Sequence, residues 1–288
     1  MRDRAIIVGT DGTAAEHWAP VEWATREAQR RNVPLRIVYA FAWDRDESRD
    51  AAGSQYVEAA WTAADAVTGA ALRWARELAP AAAIRSDALV GHPAARLLEI
   101  ADDAELIVVG HRGGGFPGLP LGSVSRRVAT HAPCPVVVVR GRTVADGPVA
   151  VGVGVGVDVD DSPAADQVLS AAFEAAADRG CPLLAVRSFL PAIPHWTAAA
   201  RPGRGQASAA ERAHLEQQLA PWREKYPDLP VDTLITHDSA ATALVGASAH
   251  AQLVVAGSRG RGTMRSALLG STVLQLLHYA NCPVLIAR

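Results

Sequence analysis

One arrangement occurs twice in this chain, once near its middle and once at its end, and it limits the fold more than any other feature. Leu253 to Arg288 reads LVVAGSRGRGTMRSALLGSTVLQLLHYANCPVLIAR. LVVA is an apolar run too short for a helix and bounded by Gly257, the mark of a fully buried strand. A loop follows with Gly257 and Gly260 three apart, then Gly270-Ser271, then the helical spacing Val273, Leu276, Leu277, Ala280. Asn281-Cys282-Pro283 stops the helix and VLIA makes another strand. Leu106 to Arg140, LIVVGHRGGGFPGLPLGSVSRRVATHAPCPVVVVR, repeats the plan with Gly110, Gly113 and Gly122-Ser123. Two copies of strand, glycine loop, helix and strand imply a duplicated domain, and 288 residues suit two domains.

The chemistry of such a loop is anion binding. Glycines let backbone N–H groups approach a ligand without a Cβ between them. A Gly-Ser at a helix start then aims unpaired N–H groups and a hydroxyl at a phosphate. A single loop of this kind is equally a tight turn, and it is the second copy that favours a site.

The pattern G-x-x-G, nine residues, G-S at Gly257, Gly260, Gly270 and Ser271 resembles the ATP-binding branch of the universal stress protein family. The likeness covers nearly all of both halves and is that of a tandem protein of the actinobacterial type. The first copy departs from it, with only eight residues between Gly113 and Gly122. The resemblance implies an α/β fold, two doubly wound open parallel sheets of five strands each in the order 3-2-1-4-5, with helices on both faces. It implies ATP or another adenine nucleotide as ligand, magnesium where a cation accompanies the phosphates, and a homodimer joined through the last strand.

Residues 1–142 and 149–288 are the two expected domains, joined by the polar stretch GRTVADGP. In the first, Asp11 follows strand 5–10 and lies where open α/β sheets bind ligands. It can accept a hydrogen bond from a ribose hydroxyl or a base amino group, or bond only its own turn. Thr13 and Glu16 have capping-box spacing, which starts a helix running to Arg31 and places Pro20 inside it, unless the regular part begins at Ala19. The resemblance puts Gly9, Asp11 and Thr13 beside the nucleoside, Ala40 at the base through its main chain, and Gly91 next to the ligand. It puts Gly110, Gly113, Gly122, Ser123, Val124 and Ser125 around the phosphates. Residues 44–55 read as a loop over the site, followed by a helix over 57–79. Arg126 and Arg127 either reach phosphate or face solvent.

Aligned without gaps, the second half sets Asp160 against Asp11, Ser162 against Thr13, and Asp158 against Gly9. Ser188 corresponds to Ala40 and Asp238 to Gly91, while Gly257, Gly260, Arg261, Gly270, Ser271 and Thr272 form the second phosphate cradle. Residues 191–208 read as a loop, with Arg201 and Arg204 in it, and a helix spans 209–222.

Composition narrows the function. A formal charge of -2 provides no positive field for nucleic acid. No apolar run reaches membrane-spanning length and MRDR leads straight into a strand, so a cytoplasmic protein is expected. The three cysteines form no disulfide framework, and Cys134, Cys181 and Cys282 are read as buried structural residues. His111 and His131 have no partner at metal-ligand spacing, and His92 is read as a surface residue. No G-x-x-x-x-G-K-[ST] loop is present and the glycine loops hold no lysine. A regulatory nucleotide binder with little turnover is therefore favoured over a weak ATPase or adenylyl-transferring enzyme. A structural partner-binding protein with degenerate sites, acting on an unknown protein partner, is the third reading.

Overall fold

A computed structural model describes residues 4–12, 18–41, 51–111, 121–142, 146–154, 163–189, 204–258 and 269–288. The chain divides into two units, Met1–Val139 and Arg140–Arg288.

The first unit alternates strands and helices: β1 Ala5–Thr10, α1 Ala19–Arg31, β2 Leu35–Phe41, α2 Ala51–Leu78, β3 Ile84–Val90, α3 Pro93–Glu99, β4 Ala104–Gly110, α4 Ser123–His131 and β5 Val136–Val139. All pairings given are parallel, and the order is β3-β2-β1-β4-β5. A parallel sheet needs both faces covered, which is why its central strands are apolar throughout. Ile6, Leu35, Ile37, Leu106 and Ile107 are all fully buried. α1 packs against α2, and α3 against α4.

The second unit repeats the plan with β6 Val149–Gly152, α5 Pro163–Arg179, β7 Leu183–Ser188, α6 Arg204–Lys225, β8 Val231–Thr236, α7 Ala240–Ala247, β9 Leu253–Gly257, α8 Ser271–Tyr279 and β10 Val284–Ala287. Its order is β8-β7-β6-β9-β10, again parallel. The expected order 3-2-1-4-5 thus holds in each unit.

Several boundaries differ from the sequence reading. α1 starts at Ala19 with Pro20 in its first turn, where a missing N–H costs nothing, so the proline opens the helix instead of bending it. The helix ends on Asn32, left-handed at φ 53, as a carboxyl-terminal cap. α2 begins at Ala51, inside the stretch expected to be loop, and α6 begins at Arg204. Each extension contains a glycine that propensity disfavours, and each continues a helix that packs on the edge strands of its sheet. The linker also belongs to one side. Arg142 N–H donates to the Asn281 carbonyl at 2.9 Å, and the Gln252 amide donates to the Gly147 carbonyl at 2.6 Å, both within the second unit.

Val8 faces Ile37 on β2 and Val151 faces Ala185 on β7, while Leu35 and Leu183 begin the paired strands opposite Ile6 and Val149. Gly152 therefore takes the register position of Gly9, and Gly154 that of Asp11. Asp158, Asp160 and Ser162, which the ungapped alignment sets against Gly9, Asp11 and Thr13, lie outside the described residues. The repeat VAVGVGVGV is unchanged by a shift of two residues, so alternation alone leaves its register open.

α1 also carries a charged core. Glu27 is fully buried and takes Arg30 at 2.5 Å and Arg31 at 2.7 Å, and Arg31 reaches Glu105 at 3.3 Å. Burial works against the Arg31 charge, but Glu27 and Glu105 outweigh it and raise its pKa.

Candidate functional site

In each unit the ends of the central strands, a glycine loop and the start of a helix come together. β1 runs out at Thr10 and leaves Asp11 exposed at the sheet's carboxyl edge. Gly9 sits just before it, where a Cβ would lie 2.9 Å from Leu97 Cδ1 on α3 and 3.7 Å from Val109 on β4, so the glycine lets the strand and α3 close up. Ala40 is next to last in β2, half-buried and opposite Leu89 of β3.

The glycine loops are pinned at both stems in the same way. In the first unit His111 N–H donates to the Val139 carbonyl at 2.9 Å, and Gly122 N–H returns to the His111 carbonyl at 2.8 Å. In the second, Ser258 N–H donates to Ala287 at 3.2 Å and Gly270 N–H to Ser258 at 3.3 Å. Gly110 and Gly257 end their strands just before these stems.

Each stem leads directly into a helix without a side-chain cap. Gly122 (φ -68, ψ 151) precedes α4 and Gly270 (φ -59, ψ 149) precedes α8. The first intrahelical bonds come from Arg126 to Gly122 and from Leu274 to Gly270. N–H groups at residues 123–125 and 271–273 thus have no carbonyl within their helices, and the positive end of the helix dipole lies at the loop. α7 shows the contrast, because Ser239 caps it by accepting from Thr242 N–H at 3.1 Å. Ser123 and Ser271 expose their hydroxyls at these starts, and Val124 and Thr272 are half-buried beside them.

Ser125 has a different role from its neighbours. It is buried and its hydroxyl donates to the Gly110 carbonyl, tying α4 to the end of β4. The register equivalent in α8 is Val273, also buried.

The rims at the edge strands differ. Gly91 follows β3, and its N–H donates to the Phe41 carbonyl at 2.8 Å. A Cβ there would lie 2.6 Å from Arg96 Nε, so the missing side chain lets the guanidinium lie against the strand end. Arg96 Nε donates to the Val90 carbonyl at 2.6 Å and Nη1 pairs with Glu99 at 2.5 Å. In the second unit Asp238 occupies the Gly91 position. The Ser188 hydroxyl donates to the Asp238 carbonyl at 2.6 Å, and the Thr236 hydroxyl donates to Asp238 Oδ2 at 3.2 Å. Sequence reasoning found Asp238 and Ser188 but missed Arg96, whose only signal was a cation one helical turn into the helix after Gly91.

The strand behind the rim differs as well. Tyr39 stacks on Phe41 at 6.0 Å, and Phe41 meets Trp61 edge-on at 5.2 Å. Arg187 replaces Tyr39 in β7. It is 5% exposed and pairs through Nε with Glu211 of α6 at 2.5 Å and through Nη1 with Gln218 at 3.1 Å. The seven-residue spacing of Glu211 and Gln218, one face of α6, was the available signal for this pairing.

Thr13, Gly113, Asp158, Asp160, Ser162, Gly260 and Arg261 lie outside the described residues, as does Arg201. Among the described residues no group of three or more His, Cys, Asp or Glu could hold a metal ion, and no helix is long and apolar enough to cross a membrane. All three cysteines are buried, as expected.

The profile of the Universal stress protein family matches residues 3–140 and 153–288. Universal stress protein Rv2005c of Mycobacterium tuberculosis is 33% identical over 316 aligned residues, covering 100% of this chain and 98% of that protein. Universal stress protein Rv2623 of the same organism is 34% identical, covering 98% of this chain and 96% of that protein. A crystal structure of a universal stress protein from Archaeoglobus fulgidus superposes with a TM-score of 0.70 at 17% identity, over 100% of this chain and 99% of that one, and agrees in fold. Fold, duplicated pattern and relatives together place the chain in the universal stress protein family, with the family's domain present twice in tandem.

Proposed function

We propose that the chain is a nucleotide-responsive regulatory protein that binds adenine nucleotide, with ATP as the expected ligand, at the glycine loops of its two units. The observation that carries this is the pair of uncapped helix starts, α4 and α8. Each follows a pinned glycine stem and offers unpaired N–H groups and a serine hydroxyl at the carboxyl edge of a parallel sheet. In this reading the phosphates lie against the first turns of α4 and α8, and the nucleoside runs back across the strand ends towards Asp11 in the first unit. Magnesium, where it accompanies ATP, comes with the phosphates.

The arrangement is suited to holding a nucleotide more than to consuming it. Phosphate is met by backbone N–H groups and hydroxyls, while the Asp11 carboxylate lies at the nucleoside end, away from the atom a water would attack. Occupancy then sets the glycine loop and the surface it presents to a protein partner.

The test is an isothermal titration of nucleotide-stripped protein with ATP and magnesium, alongside Gly270→Ala. Gly270 has an ordinary negative φ, so alanine fits the backbone and the variant sets a methyl group at the proposed phosphate position. Two adenine-preferring sites per chain, with the second weakened roughly tenfold or more in Gly270→Ala, support the reading, a loss of that size being expected when backbone donors are held off a charged ligand. Absence of heat and of retained nucleotide would sink it.

A further inference from the structure

The strand registers allow the two rims to be compared residue by residue. Leu35 opposes Ile84 and Leu183 opposes Val231, so Ala40 corresponds to Ser188 and Gly91 to Asp238. α3 and α7 both start two residues later, at Pro93 and Ala240, so Arg96 corresponds to Ala243. At one and the same place the first unit presents a guanidinium and the second a carboxylate.

We propose that Asp238 determines base specificity in the second unit, its carboxylate accepting a hydrogen bond from the exocyclic amino group of a 6-aminopurine lying over Ser188. The inference rests on the nucleotide reading above. Strand order supplies the geometry, because β9, which leads into the α8 loop, is followed across the sheet by β6, β7 and β8. Those three spacings amount to ~14 Å. A phosphate held at α8 therefore puts the sugar over β6, the base over β7 and the edge of the base at β8, where Asp238 stands.

The carboxylate is set for this contact. Asp238 is exposed, its carbonyl is held by the Ser188 hydroxyl at 2.6 Å and its N–H donates to Thr236 Oγ1 at 3.1 Å. These bonds fix the turn while the Thr236 hydroxyl takes only Oδ2, which leaves Oδ1 able to accept. A carboxylate accepts from an amino group and repels a carbonyl, whereas a guanidinium donates to ring nitrogen and carbonyl oxygen alike. Adenine and hypoxanthine differ at that one position, 6-amino against 6-oxo. The second unit should discriminate between them and the first, with Arg96 at the rim, should not.

The experiment compares ATP with ITP by titration of the full chain carrying Gly122→Val, which blocks the first unit's phosphate cradle, with and without Asp238→Asn. Asparagine keeps the size of the side chain and can turn its amide to donate to a 6-oxo group. A preference for ATP over ITP of about tenfold or more is expected, in line with the discrimination of a well-placed base contact. In Asp238→Asn it should fall to within about threefold, mainly through gained ITP affinity, a change that mere loss of folding would not produce. A preference unchanged by Asp238→Asn, with binding intact, overturns this proposal alone. Binding of neither nucleotide to the Gly122→Val chain overturns the nucleotide reading of the second unit, and this proposal with it.

Discussion

Gly141→Ala and Gly180→Ala form a pair in which the backbone cost is the same and the steric cost is not. Both glycines lie in the left-handed region, at φ 63 and φ 59. Alanine in that region costs about 1–2 kcal/mol. At Gly180, which ends α5, a Cβ meets nothing within 4 Å, so that cost is the whole effect. At Gly141 a Cβ would lie 1.9 Å from the Asn281 carbonyl oxygen and 2.2 Å from its carbon, both backbone atoms that no rotamer change can move aside. The linker must lift away, which adds an overpacking cost of about 1–3 kcal/mol. It also breaks the bond from Arg142 N–H to that carbonyl, worth about 1 kcal/mol. Gly141→Ala should therefore cost about 3–6 kcal/mol, against about 1–2 for Gly180→Ala. It should also loosen Arg140, whose guanidinium donates to the Leu276 carbonyl at 2.8 Å in the last turn of α8. Urea unfolding of both variants measures the difference, since both residues belong to the second unit and share a reference state. Coincident midpoints for the two variants would refute the account of the linker as strapped against Asn281.

Two further outcomes are expected. Burial pushes the Cys282 thiol up to about 12 from an ordinary 9.0, against the pull of Arg140 and a backbone bond involving Val254. Because the folded value is the raised one, its contribution is complete below pH 9 and is lost as the pH rises towards 12. Across that window the thiol lowers stability by about 1.4 kcal/mol per pH unit. Cys282→Ala should remove this part of the alkaline slope in denaturant titrations, and an identical slope in both proteins counts against it. Ser125→Ala strips the Gly110 carbonyl of its hydroxyl partner and should cost about 1–2 kcal/mol in the first unit. Thermal unfolding reads this loss, and an unchanged transition contradicts it.

The fold was legible where two periodicities alternate without ambiguity. Strands such as Leu253–Gly257 and Val284–Ala287, and the helix stopped by Asn281-Cys282-Pro283, announce themselves through apolar runs and stop signals. Reading failed where local chemistry supports two answers. The first residues of α2, from Ala51, lie in a stretch that reads as loop, and contacts along the rest of α2 decide for helix. β6 is a different case, since a valine-glycine alternation defines a face but no register, and pairing with β7 and β9 selects Val149–Gly152.

The site shows the same division. Glycines and the Gly-Ser starts could be found in one dimension because their spacing is itself the device, a loop followed by a helix end. Arg96 and Arg187 could not, because each acts through a neighbour supplied by the fold, the bare Gly91 in one case and Glu211 on α6 in the other. Ser125 was misleading for a related reason, since a hydroxyl within a Gly-Ser-x-Ser run reads as a ligand group until the structure shows it turned towards the Gly110 carbonyl. The glycine-loop ends of the two units are built from backbone and remain alike, stem by stem and helix start by helix start. The rims are built from side chains, and there the units have exchanged a guanidinium for a carboxylate. On the nucleotide reading proposed above, duplication of a backbone cradle preserves what kind of group is held and leaves the choice of ligand to a few rim positions, among them Gly91 with Arg96 and Asp238 with Ser188, which differ in charge.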